Sequence, residues 1–171
     1  MDERSTLLEL QLRSTPEIIQ FIKIAHKGQK DKCGEEYWRH PYNVFLRMPK
    51  ELPLYIRHAA LLHDVLEDTP YQEDMLKFIE INPETIEIVK IVSKLDHRLT
   101  YHQWIDQIVQ LNNIGAIIVK IADIFDNMSP NRLFQGSESL IHRYSQALTT
   151  LYLGLPEQYY PWFESQKNNP Y

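Results

Sequence analysis

The segment AALLHDVLEDTP places His63, Asp64, Glu67 and Asp68 directly after four apolar residues. On a helix, His63 and Glu67 are one turn apart, as are Asp64 and Asp68, so an imidazole and three carboxylates occupy adjoining strips of one surface. Burying several carboxylates together is costly unless something positive compensates, and a divalent metal ion does so most effectively. The competing reading is the solvated face of an amphipathic helix whose Leu61, Leu62, Val65 and Leu66 are buried on the other side. A second segment repeats the anomaly: in VKIADIFDN, after the apolar IGAIIV, Asp123 and Asn127 stand four apart with Asp126 beside them. A third, WRHPYNV, supplies His40 at the start of a helix, from which its ring can point across a cleft. His40, His63, Asp64 and Asp123 form a two-nitrogen, two-oxygen set suited to manganese, iron or zinc. With water in the remaining positions, such an ion lowers the water's pKa toward neutrality and supplies a hydroxide nucleophile.

The elements that must position these groups are helical. The chain has 171 residues, five of them glycine, and almost no alternation of apolar and polar positions that would mark strands. Helical periodicity runs through STPEIIQFIKIAHKGQ, with Ser14 and Thr15 as candidate N-caps and Pro16 at the first turn. A short helix from His40-Pro41 through Met48 follows, then a helix from Pro53 that carries the charged segment as far as Thr69-Pro70, where proline ends it. PETIEIVKIVSKL, TYHQWIDQIVQL, IGAIIVKIADIFDNM and ESLIHRYSQALTTLYLGL complete the set. The reading is all-α, one domain over residues 1–171, with a partly extended aromatic tail at 156–171 that frays at QKNNPY.

Composition narrows the function classes. A net charge of −5 and the absence of long basic runs argue against nucleic acid or an anionic membrane as partner. No window reaches the roughly 18 apolar residues of a membrane span. The start, MDERSTLLELQLRS, lacks the basic and apolar runs of a secretion signal. Cys33 is the sole cysteine, which excludes an intrachain disulfide and fits a cytoplasmic setting. A phosphate-bearing ligand must therefore meet local cations.

The ordered set AHKGQ, HP, ALLHDVLEDT and VKIADIFDN resembles the HD-domain metal-dependent phosphohydrolases, and within them the (p)ppGpp hydrolase domain of the RelA/SpoT family, especially its small stand-alone members. The motifs lie within residues 21–132. The resemblance implies an HD-type helical bundle with His40, His63, Asp64 and Asp123 as metal ligands, Mn2+ as the cofactor, and Glu67 and Asp68 as the pair that positions or deprotonates the attacking water. It implies Asn127 as a nucleotide contact and Lys27 as a basic residue near the guanine pocket, with His26 either a wall of that pocket or a structural residue behind it. Lys30, Lys32 and Arg39 are further local cations. The implied reaction is attack on the phosphorus at the ribose 3′ oxygen of (p)ppGpp, giving GDP or GTP and pyrophosphate.

Two departures fall in the nucleotide-contacting segment. The family's basic run is here KDKCG, interrupted by Asp31, and Glu36 stands where a proline usually precedes the tyrosine. Hydrolysis of another nucleotide, and nucleotide sensing without catalysis, stay open as alternatives, as does a second copy of the chain as partner. His58, His97, His102 and His142 fall in no matching motif and read as ordinary surface or core histidines. Lys94, Asp96, His97 and Arg98 are candidates for a rim over the pocket, against a solvated helix end, and Arg143 and Tyr144 for its closure.

Overall fold

The computed structural model describes residues 14–134 and 136–168. The secretion-signal reading of the first thirteen residues, and the last three residues of QKNNPY, lie outside the described residues. Helix α1 (Thr15–Ala25) starts at Ser14, whose N–H and Oγ donate to the Glu17 carboxylate at 2.8 and 2.6 Å. It buries Ile18, Phe21, Ile22 and Ala25 at helical spacing. Helices α2 (Arg39–Arg47), α3 (Leu54–Leu62), α4 (Val65–Asp68), α5 (Glu73–Phe78), α6 (Pro83–Val92) and α7 (Tyr101–Gln110) follow. Then come α8 (Ile114–Asn127), α9 (Glu138–Leu153), a 3₁₀ turn (Glu157–Tyr159) and α10 (Tyr160–Asn168). Side chains cap three further helices: Asn82 accepts from the N–H groups of Glu84 and Thr85, Thr100 from Gln103, Asn113 from Ala116. Among the described residues there is no strand, only one isolated antiparallel bridge between Lys30 and Glu36.

The core is organised around α8. Every residue from Gly115 to Asp126 is buried, Lys120, Asp123 and Asp126 included. A helix buried on all sides sits at the centre of its domain, and α2, α3, α6, α7, α9 and α10 all pack on α8. Gly115 makes that packing close: a Cβ there would stand 2.7 Å from Ile88 Cδ1 and 3.3 Å from Ile56 Cγ1. α3 in turn packs on α1, α2 and α6. This all-α single domain is the architecture the periodicity predicts.

Two expectations are corrected. The helix from Pro53 does not run unbroken to Thr69; it stops after Leu62 and resumes at Val65. At the break the Ala60 carbonyl, which an unbroken helix would pair with the Asp64 N–H, stands 2.8 Å from His63 Nδ1. The tail is not extended between 157 and 168. It is helical, because Phe163 is buried against Phe125 and Tyr152, at ring separations of 5.4 and 4.8 Å, and Trp162 Nε1 donates to the Arg47 carbonyl. Helix α5 was not evident from the periodicity. No helix among the described residues is long and apolar enough to cross a membrane.

Candidate metal centre

Three elements converge on one buried point. His40 comes from the first turn of α2, His63 and Asp64 from the break between α3 and α4, and Asp123 from the last turns of α8. Their atoms alternate around a small ring. His40 Nε2 is 3.0 Å from Asp123 Oδ1, which is 3.6 Å from His63 Nε2; that nitrogen is 3.1 Å from Asp64 Oδ2, which lies 3.5 Å from His40 Nε2. Ligands held about 2.1 Å from a shared ion stand roughly 3.0 to 3.4 Å apart in octahedral or tetrahedral arrangements. Two edges, 3.0 and 3.1 Å, fall within that spacing, and the other two, 3.5 and 3.6 Å, lie just above it. His40, His63 and Asp123 each offer a ligand atom within 4.8 Å of the others, and Asp64 closes the ring.

The histidines are oriented for the same task. His63 Nδ1 lies 2.8 Å from the Ala60 carbonyl, and His40 Nδ1 2.8 Å from Asp126 Oδ2, so both rings turn Nε2 toward the centre. His63 Nε2 is buried without a hydrogen-bond partner, which suits a metal-facing nitrogen. Asp123 is held at both oxygens, with Lys120 Nζ donating to Oδ2 at 2.7 Å and Asn127 Nδ2 to Oδ1 at 2.6 Å.

Burial opposes charge on all four residues, yet their mutual fields dominate. For His63 burial lowers the pKa, but Asp64 and Asp123 raise it well above the ordinary range; for His40 the bonds to Asp123 and Asp126 likewise outweigh burial. Burial raises the two carboxyls, but His63 holds Asp64 low, and Lys120 with the two histidines holds Asp123 well below its ordinary range. A divalent ion supplies the same positive charge in place of the imidazole protons.

Glu67 and Asp68 follow on α4. The Lys94 N–H donates to Glu67 Oε2 at 2.8 Å. Partial burial raises both carboxyls, with Asp64 adding to the rise at Asp68 and the Lys94 N–H opposing it at Glu67. The Tyr37 hydroxyl stands 2.9 Å from both Asp64 Oδ2 and Asp68 Oδ2 and links the ring to this pair. Sequence reasoning missed the roles of Tyr37, Lys120 and Asp126; of these Lys120 carries a spacing signal, three residues before Asp123 on the same helix. His26 is buried, its Nδ1 2.8 Å from Gln29 Oε1, while Gln29 Nε2 donates to the Asp68 carbonyl.

A cavity of about 590 Å³ opens beside His40, lined by Asp31, Trp38, Arg39, Tyr42, Asn43 and Arg132 among others. Arg39 is exposed and 3.6 Å from Glu35. Asn127 is engaged at both ends of its amide, by Asp123 and by Arg132, which donates to Oδ1 at 3.0 Å. Lys27 and Lys30 are exposed and outside that lining. His58 Nε2 meets Thr15 Oγ1 at 2.9 Å instead of the ring, and Arg98 pairs with Asp96.

Residues 35–128 match the family model described as HD domain. The chain is 37% identical over 116 residues, 61% of its length, to guanosine-3′,5′-bis(diphosphate) 3′-pyrophosphohydrolase of Haemophilus influenzae, covering 16% of that protein. It is 33% identical over 132 residues, 71% of its length, to the bifunctional (p)ppGpp synthase/hydrolase SpoT of Escherichia coli, covering 18% of it. The chain thus spans less than a fifth of these curated relatives. A solved structure described as a metazoan ortholog of SpoT that hydrolyzes ppGpp and plays a role in starvation responses superposes with a TM-score of 0.68 at 21% identity, covering 90% of this chain and 93% of that one. That likeness shows the shared fold.

Proposed function

Because this chain belongs to the HD domain family, we propose that it removes the 3′-pyrophosphate of (p)ppGpp in a metal-dependent hydrolysis, releasing GDP or GTP and pyrophosphate. The observation that carries the chemistry is the ring of alternating Nε2 and carboxylate oxygens, 3.0 to 3.6 Å on its edges. The substrate rests on the relatives named as guanosine-3′,5′-bis(diphosphate) 3′-pyrophosphohydrolases.

His40, His63, Asp64 and Asp123 hold the ion, and a mixed nitrogen and oxygen set favours Mn2+. When bound, the ion supplies Lewis acidity and lowers the pKa of water. Glu67 and Asp68 hold the attacking water and take its proton. Their raised carboxyl pKa values make them better proton acceptors than ordinary surface carboxylates. Tyr37 orients Asp68 through the hydroxyl contact, and Lys120 and Asn127 keep Asp123 in place. Arg39, Lys27 and Lys30 offer positive charge to the phosphates, and Asn127 borders the nucleotide beside Arg132. Cys33, a free exposed thiol and the only cysteine, is consistent with a reducing cytoplasm.

A second reading keeps the metal chemistry and changes the nucleotide. It draws on Asp31, which interrupts the family's basic run and whose Oδ2 lies 3.5 Å from Arg132 in the lining of the cavity beside His40, so that cation is already paired with a carboxylate. Incubating the Mn2+-loaded chain with ppGpp, pppGpp, GTP, dGTP and NADPH separates the two. Pyrophosphate released from ppGpp is expected; inert ppGpp with phosphate released from another member of the panel would install the second reading.

A further inference from the structure

We infer that Asp126 is a positioning residue of the metal centre: it dictates which nitrogen of His40 faces the other ligand atoms, and Arg47 and α10 hold it there. The inference rests on the metal reading above.

An ionised carboxylate can only accept hydrogen bonds. With Asp126 Oδ2 at 2.8 Å, His40 Nδ1 must carry the proton, and its Nε2 lone pair is then turned toward Asp64 and Asp123. Asp126 itself is fixed by cations. Arg47 Nε donates to Oδ1 at 3.2 Å, and Arg132 Nε stands 3.8 Å from Oδ2. Both side chains of the Arg47 and Asp126 pair are nearly inaccessible, at 8% and 2% exposure, so neither charge can turn to solvent.

Arg47 is anchored in turn by α10. Its carbonyl accepts from Trp162 Nε1 at 2.8 Å, and its guanidinium NH1 donates to Gln166 Oε1 at 3.4 Å. These residues lie beyond the 35–128 segment that the family model matches. A chain of contacts therefore runs from the C-terminal helix through Arg47 and Asp126 to His40.

The substitution Asp126→Asn tests the assignment. Its amide oxygen pairs best with Arg47, since an amide NH2 there would face another donor at 3.2 Å. The NH2 then faces His40 Nδ1 and favours the imidazole with its proton on Nε2, pointing at the metal position. Calorimetric titration with Mn2+ is expected to show about 10- to 100-fold weaker binding, the range for loss of a group that orients a metal ligand, with the circular dichroism spectrum unchanged. In R47M/D126N no cation competes on the Oδ1 side, so the amide oxygen can return to His40 and binding should recover several-fold over D126N.

Side-chain 15N spectra of the Zn2+-loaded unsubstituted protein give a readout independent of variant folding. Zn2+ on Nε2 and a proton on Nδ1 of His40 are expected, and Zn2+ on Nδ1 would overturn the inference. Equal Mn2+ affinity in D126N and the unsubstituted chain overturns it alone. An unsubstituted chain that takes up neither Mn2+ nor Zn2+ overturns the metal reading and this inference together.

Discussion

Tyr37 places its hydroxyl 2.9 Å from Asp68 Oδ2, and the same oxygen is 2.9 Å from Asp64 Oδ2, so one phenol links the ring of histidines and aspartates to the acidic pair. The two residues are 31 positions apart, and no sequence periodicity relates them. Burial and the flanking carboxylates raise the phenol's pKa, so it carries its proton throughout the working range. It can donate that proton to only one carboxylate at a time.

Tyr37→Phe should lower turnover about tenfold, as expected for one hydrogen bond to a charged group, worth roughly 1.5 kcal/mol. The Tyr37 bond opposes the rise of the Asp68 pKa. Its removal should therefore move the acid limb of the pH–rate profile to higher pH. A limb that stays in place, or moves down, would show that Asp68 does not titrate in that limb.

Replacing Asp64 by Ala should abolish both bound metal and hydrolysis, because it removes one corner of the ring. Glu67→Ala should retain the metal and lose turnover by about 10²–10⁴-fold, the range for a proton-transfer residue. Metal content by mass spectrometry, measured beside activity, distinguishes the two. Loss of metal in the Glu67 variant would place that carboxylate among the ligands.

The metal-free protein should lose stability as pH rises above about 6.5. His63 has a folded pKa well above its unfolded value, so its contribution is complete below about 6.5 and disappears as pH climbs through the folded value. Asp64 and Asp123 are depressed, so theirs is present above about 3.9 and fades as pH falls. Metal binding requires the imidazole protons to leave and so strengthens with pH. The Mn2+-induced rise in Tm should accordingly widen between pH 6 and 8, by scanning calorimetry at fixed metal concentration. A shift that narrows over this interval contradicts the assignment.

Phe163→Ala tests the C-terminal helix. Phe163 is 3% exposed and packs on Phe125 and Tyr152, so truncation should cost about 3 kcal/mol and lower Tm by roughly 6 to 12 °C. A tail that only frays would leave Tm unchanged.

Much of the helical framework can be read from the chain because helix formation leaves local marks. Pro16, Pro83, Asn82, Thr100 and Asn113 stand at or just inside helix starts, and the apolar spacing of α6 and α7 selects the faces that are buried. Helix α10 left no comparable mark. Its order comes from Phe163 and Trp162 reaching α8 and Arg47, contacts of long sequence separation.

The sequence by itself picks out His40, His63, Asp64 and Asp123 as residue types suited to a divalent ion, and places Asp123 on a mostly apolar helix. Residue type and local spacing suffice for that. Tertiary structure alone decided that the charged segment breaks between Leu62 and Val65, that Tyr37 joins Asp64 to Asp68, and that Arg47 and Asp126 stand behind His40. Each depends on where side chains from distant turns meet, and their hydrogen bonds exist only once the helices have packed.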